Sequence, residues 1–119
     1  MNLNNKNVLI TGVGKGIGRS LVGYLLNNGA NVYGLTRSSS DIKKFKNHSR
    51  LKIYQGDVCN LNLIKKILDQ SIKDKKLING VINNAGVRQR KKFEKIKKND
   101  IKYVFDVNFF SIFEILKLY

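Results

Sequence analysis

The residues best suited to chemistry sit at the ends of apolar runs. Thr11-Gly12-Val13-Gly14-Lys15-Gly16-Ile17-Gly18-Arg19 follows the first run and opens a helical pattern. A turn this rich in glycine lets backbone N–H groups approach a phosphate closely, and the helix behind it points its positive end the same way. Gly18 lets that helix pack tightly on a strand. The spacing departs from G-x-G-x-x-G, because Ile17 stands where the last glycine would fall counting from Gly12. Tight turns need glycine for their own sake, yet a position between strand and helix favours phosphate binding. A second group, Thr36-Arg37-Ser38-Ser39, follows the next apolar run. Its guanidinium offers a fork of donors to a phosphate, and its serines add more. Asp57-Val58 and Asn83-Asn84-Ala85-Gly86 follow later runs, and Asn108 lies in the last helical segment. His48 stands alone beside charged residues and makes no metal site by itself. Cys59 has no partner motif and reads as a small core residue.

The elements that must position these groups alternate regularly. Asn7–Thr11 reads as a buried strand, and Lys15–Asn27 as a helix through Ile17, Leu21, Val22, Leu25 and Leu26. Gly29 ends that helix. Val32–Leu35 is a second strand, and Ser38–Asn47 a short helix with Ser39, Ser40 or Asp41 available as its cap. Leu51–Gln55 alternates as a third strand, and Leu61–Lys73 is amphipathic through Ile64, Ile67, Leu68 and Ile72. Leu77–Ile82 is the fourth strand. Asp100–Tyr119 is the last helix, with Asn108 on the face of Ile101, Phe105 and Ile112, so that its amide is expected to point towards the core. Strands separated by helices imply right-handed parallel crossovers, an α/β fold with a doubly wound sheet, and one domain over residues 1–119.

Thr-Gly-x-x-x-Gly-Ile-Gly at Thr11–Gly18 resembles the cofactor turn of the short-chain dehydrogenase/reductase family. Further matches follow in order. Asp57-Val58 looks like the family's acidic contact to the adenine ring, Asn83-Asn84-Ala85-Gly86 is similar to its signature, and Asn108 in Val107-Asn108-Phe109 matches the asparagine of its catalytic tetrad. The resemblance implies a Rossmann-type sheet, incomplete at about four strands, and a nicotinamide cofactor held by Gly12, Gly14, Lys15, Gly16, Ile17, Arg37, Ser38, Asp57, Val58, Asn84, Ala85 and Gly86. Asn84 and Gly86 are expected at the ribose. Asn83 could instead tie neighbouring strands together, and Asp57 could cap the helix behind it. An acid at the end of the second strand would accept bonds from a ribose 2′-hydroxyl, whereas this chain has Thr36-Arg37 there. Lys15 and Arg37 resemble the basic pair of the NADP-preferring carbonyl and xylulose reductases, so NADP(H) is expected. The plain alternative is two surface cations in a lysine-rich chain.

The family's chemistry uses a tyrosine as general acid/base, a lysine four residues on, and a serine. No Tyr-x-x-x-Lys occurs here, since Tyr24, Tyr33, Tyr54 and Tyr103 lead to Asn28, Arg37, Val58 and Val107. Of the tetrad only Asn108 is present. The expectation is therefore the nucleotide-binding part of a reductase of carbonyl or alcohol substrates, truncated before its catalytic region, inactive and poorly stable alone, and a homo-oligomer as the full-length parent. Two other functions fit the residues: a non-catalytic NADP(H)-sensing module, and a nucleic-acid-binding protein drawing on the net charge of +15. That charge reads as a compositional bias, because both halves are basic. Arg88–Lys98 carries seven basic residues against Glu94 and reads as a solvated loop and short helix anchored by Phe93 and Ile96. One cysteine excludes an internal disulfide and suits the cytoplasm. No targeting segment or membrane span is apparent.

Overall fold

A computed structural model describes residues 1–119. The chain forms a parallel sheet of four strands in the order β3-β2-β1-β4. In chain order the elements are β1 (Asn7–Thr11), α1 (Gly16–Asn27), β2 (Asn31–Thr36), α2 (Ser39–Ile42), β3 (Leu51–Gln55), α3 (Leu61–Lys73) and β4 (Gly80–Ile82). A 3-10 turn at Phe93–Lys95 precedes a last helix built from α4 (Lys98–Phe105), a π-turn (Asp106–Phe110) and α5 (Ser111–Leu118). Val8 is in register with Val32 on one side and Gly80 on the other. No helix is long and apolar enough to cross a membrane.

The period of two along the strands creates two cores, one on each face of the sheet. Val8, Ile10 and Val32 pack with Val22, Leu25 and Leu26 of α1. Leu9, Tyr33 and Leu35 face the other way, against Ile64 and Ile67 of α3 and Val107 and Ile115 of the last helix. β1 is buried at every position because strands flank it and helices cover both faces. Its C-terminal end, and that of β2, therefore arrive at the site on the most deeply buried part of the sheet.

Among the elements before the last helix, α2 and β4 depart furthest from the sequence expectation, each for a local reason. The helix after β2 is only Ser39–Ile42, since beyond it Phe45 is the sole large apolar side chain among Lys43, Lys44 and Lys46. Its cap is Ser38, whose hydroxyl accepts from the Asp41 N–H at 3.3 Å. β4 begins at Gly80 rather than Leu77 because side chains replace the ladder there. The Asn7 N–H donates to Asn79 Oδ1 at 2.7 Å, and Asn7 Nδ2 donates to the Leu77 carbonyl at 2.8 Å.

The largest difference lies in the last helix. The π-turn accommodates an extra residue at Asp106–Phe110 and so resets which residues face inward. Val107, Ser111 and Ile115 are buried, whereas Ile101 and Phe105 are exposed. The expected inward face of Ile101, Phe105, Asn108 and Ile112 is thus incorrect, and Asn108 does not point into the core.

Candidate functional site

The C-terminal ends of all four strands open into one cleft of about 310 Å³. Every position expected to bind cofactor lines it except Gly16 and Ile17. The Ile17 side chain is exposed to solvent at the start of α1. Any role for these two residues belongs to their backbone N–H groups.

The glycine turn is fixed from three sides. The Gly12 and Val13 N–H groups both donate to the Leu35 carbonyl of β2, at 2.8 and 3.1 Å. The Asn84 Nδ2 amide donates to the Thr11 and Gly12 carbonyls, each at 3.1 Å. The Thr11 hydroxyl accepts from the backbone N–H groups of Asn84 and Ala85, at 3.1 and 3.0 Å. Gly12 takes φ of +73°, and a Cβ there would lie 2.8 Å from Ala85 Cα. A left-handed backbone and a close approach thus both require glycine at this position. Thr11, absent from the sequence-derived set, proves to be the hydroxyl that joins the β1 and β4 ends. Asn84 performs the strand tie considered for Asn83, which leaves its Oδ1 for a ligand. The Oδ1 of Asn83 is buried without a hydrogen-bond partner.

Behind the turn, α1 starts at Gly16 with no side-chain cap and no acid in its first turn. The contrast is internal to the chain: α2 and α3 are capped by the side chains of Ser38 and Asn60, and at α4 Asp100 Oδ2 reaches back to accept from the Lys97 N–H at 2.8 Å. Each helix start presents N–H groups that need an acceptor, and at α1 neither a capping side chain nor a first-turn acid supplies one beside the cleft.

The other end of the cleft is charged. Lys15, Arg37 and Ser38 supply donors, while Asp41 and Asp57 supply carboxylates. Asp41 stays ionised: its hydrogen bond from Lys44 holds the carboxyl below the usual range, and the charges of Lys15 and Arg19 add to that. Asp41 and Tyr103 escape sequence reasoning as site residues, since nothing in their neighbourhoods along the chain marks them. Asp57 Oδ1 accepts from the Cys59 N–H at 2.8 Å, in a turn ahead of α3 rather than as its cap, a place held by Asn60.

Asn108 lies outside the cleft lining and grips its rim. Its Oδ1 accepts from the Val87 N–H and its Nδ2 donates to the Val87 carbonyl, both at 2.8 Å. This two-point clamp fixes the backbone just past Gly86. Asn108→Ala is expected to cost about 1–2 kcal/mol, the net worth of two such bonds at a solvent-accessible position. Urea unfolding together with amide exchange at Val87 checks this; unchanged protection at Val87 contradicts the clamp.

Cys59 is exposed, not a core residue. Even so, desolvation of its sulfur, followed by the hydrogen bond and charge of Asp57, pushes the thiol up to about 11. The thiolate is the reactive form, so alkylation near pH 8 is expected to run roughly 100-fold slower than for an ordinary thiol. Asp57→Asn removes the raising charge and is expected to speed it, as measured by iodoacetamide labelling. Phe93 likewise does not anchor the basic stretch: it is 86% exposed, and Lys91 is tied instead to Asp100 at 2.6 Å.

Comparison with known proteins agrees with this geometry. The sequence profile of the family described as short chain dehydrogenase matches residues 6–119. An uncharacterized oxidoreductase of Saccharomyces cerevisiae is 35% identical over 112 residues, covering 90% of this chain and 44% of that protein. A short chain dehydrogenase/reductase crystal structure from the same yeast superposes with a TM-score of 0.85 at 33% identity, covering 95% of this chain and 47% of the other. The 3-oxoacyl-(acyl-carrier-protein) reductase of Buchnera aphidicola is 28% identical, covering 98% of this chain and 49% of its own. A blue fluorescent protein from a metagenomic library, solved in complex with NADPH, shares the fold at a TM-score of 0.81 and 22% identity, over 99% of this chain and 51% of that one. The chain spans about half the length of the curated relatives it matches. With the sheet order, the glycine turn and the Asn-Asn-Ala-Gly strand end all in place, this chain belongs to the short-chain dehydrogenase/reductase family.

Proposed function

We propose that this chain is the cofactor-binding part of a cytoplasmic NADP(H)-dependent oxidoreductase that transfers hydride between the nicotinamide and a carbonyl or alcohol. The observation that carries this is the uncapped start of α1 behind the glycine turn, opening on the same cleft as Lys15, Arg37 and Ser38. The first feature suits a pyrophosphate and the second a 2′-phosphate, and both lie where open parallel sheets bind ligands. Asp57 and Val58 fit the adenine end, and Asn84, Ala85 and Gly86 the ribose. NADP(H), when bound, supplies or accepts the hydride. The residues here bind and orient it, and Asn108 steadies the rim. No Tyr-x-x-x-Lys is present to move the substrate proton, so the chain by itself is expected to bind without turnover.

Calorimetric titration with 2′,5′-ADP and 5′-AMP tests the reading. A charge-assisted contact to the extra phosphate predicts at least about tenfold tighter binding of 2′,5′-ADP. Equal affinities contradict the NADP(H) assignment. A second reading is a non-catalytic NADP(H)-binding module. The two separate on turnover by the parent protein, which only the first predicts.

A further inference from the structure

We propose that Tyr103 is a positioning residue of the cofactor site, its hydroxyl bridging Arg37 and Asp57 across the adenine end of the cleft so that a nucleotide must part this bridge to enter. The proposal rests on the NADP(H) reading above and adds a residue to it. Three elements converge on one oxygen: Arg37 follows β2, Asp57 follows β3, and Tyr103 comes from α4. Arg37 Nη1 donates to the Tyr103 hydroxyl, which in turn donates to Asp57 Oδ2 at 3.3 Å. All three side chains line the cleft.

The direction of the chain of bonds is set by chemistry. A guanidinium only donates and a carboxylate only accepts, so the hydroxyl between them must do both. It keeps its proton, because burial and the negative charge of Asp57 push the phenol up. Arg37 polarises the hydroxyl and strengthens its donation to Asp57, so the three groups hold together better than any two. The other oxygen of Asp57 is already engaged by the Cys59 N–H at 2.8 Å. The donor suited to a 2′-phosphate and the acceptor suited to adenine are therefore occupied with each other. A phenylalanine at 103 would fill the same space and offer neither bond.

A consequence follows for specificity. Ligands carrying adenosine have to separate Arg37 from Tyr103, whereas pyrophosphate alone meets the glycine turn and leaves the bridge intact. Tyr103→Phe is thus expected to tighten 2′,5′-ADP about three- to tenfold, the weight of one such bond, and to leave inorganic pyrophosphate unchanged. Tyr103 is 39% exposed and a phenylalanine keeps its packing, so the variant should fold with an unfolding midpoint lowered only by the weight of that bond.

The test has two arms on the full chain. In protein without nucleotide, carrying 13C-labelled tyrosine, Arg37→Met and Asp57→Asn should each move the Tyr103 Cζ resonance. Calorimetry then compares 2′,5′-ADP with pyrophosphate for the parent and Tyr103→Phe. A resonance silent to both substitutions overturns the bridge while leaving the cofactor assignment intact if 2′,5′-ADP still binds. Tyr103→Phe binding 2′,5′-ADP no more tightly, or tightening pyrophosphate equally, also overturns it. If the resonance responds but neither protein binds 2′,5′-ADP, the cofactor reading has failed and the proposed role of the bridge falls with it.

Discussion

Gly18→Ala is expected to destabilise the chain by about 2–3 kcal/mol and to abolish measurable nucleotide binding, while Gly23→Ala in the same helix stabilises it by up to about 1 kcal/mol. The two glycines share α1, so helix propensity favours alanine at both. Their surroundings separate them. A Cβ at Gly18 would stand 2.2 Å from the Gly12 carbonyl oxygen and 2.5 Å from Asn84 Nδ2, whereas nothing lies within 4 Å at Gly23. The Gly12 oxygen is backbone and cannot swing aside. It is also one of the acceptors through which Asn84 fixes the turn. Relief must come from α1 lifting off the sheet, which loses burial of Val22, Leu25 and Leu26 and displaces the helix start from the cleft. Urea midpoints for both variants provide the check. A Gly18→Ala protein as stable as the parent would show that α1 does not hold the turn by close packing.

The same packing explains how much of this molecule was legible in its sequence. β1, β3 and α3 have the limits their residue patterns imply, because each is governed by its own periodicity and by punctuation close by, such as Asn60 ahead of Leu61. The glycine turn was legible because its glycines stand together in Thr11–Gly18, although the contacts that require them come from Leu35, Asn84 and Ala85. Failures begin where a contact bridges distant segments. The π-turn at Asp106–Phe110 leaves no mark in the helical spacing, yet it determines that Val107 is buried and that Asn108 reaches Val87, twenty-one residues away. Tyr103 looked like one more aromatic on a helix, and only the meeting of α4 with the ends of β2 and β3 brings it to Arg37 and Asp57. Asp41 was visible only as a possible cap. Its place beside Gly14 depends on α2 folding back over the turn, where a Cβ on Gly14 would lie 2.6 Å from the Asp41 carboxylate.

Arg37→Glu is expected to invert the cofactor preference, weakening NADPH by about 100-fold or more while leaving NADH at its starting affinity or up to about tenfold tighter. Two effects add for NADPH. The charge-assisted contact to the 2′-phosphate is lost, which by itself costs about 1.5–3 kcal/mol, and a carboxylate takes its place beside a phosphate of like sign. Asp41 already stands in that part of the cleft as an ionised acid, so the new charge acts with it, and Lys15 remains as the lining cation. NADH has no 2′-phosphate to repel. Its ribose hydroxyls meet the kind of acidic acceptor that suits a 2′-hydroxyl at the end of a second strand. Loss of the guanidinium also frees the Tyr103 hydroxyl, which removes a barrier to any adenosine. Arg37 is exposed, so the fold should tolerate the change, and the urea midpoint shows whether it does. Dissociation constants for both cofactors decide the matter. A parallel loss for NADPH and NADH would place Arg37 at a contact common to both, away from the 2′-position, and a negligible loss for both would reduce it to one surface cation among many.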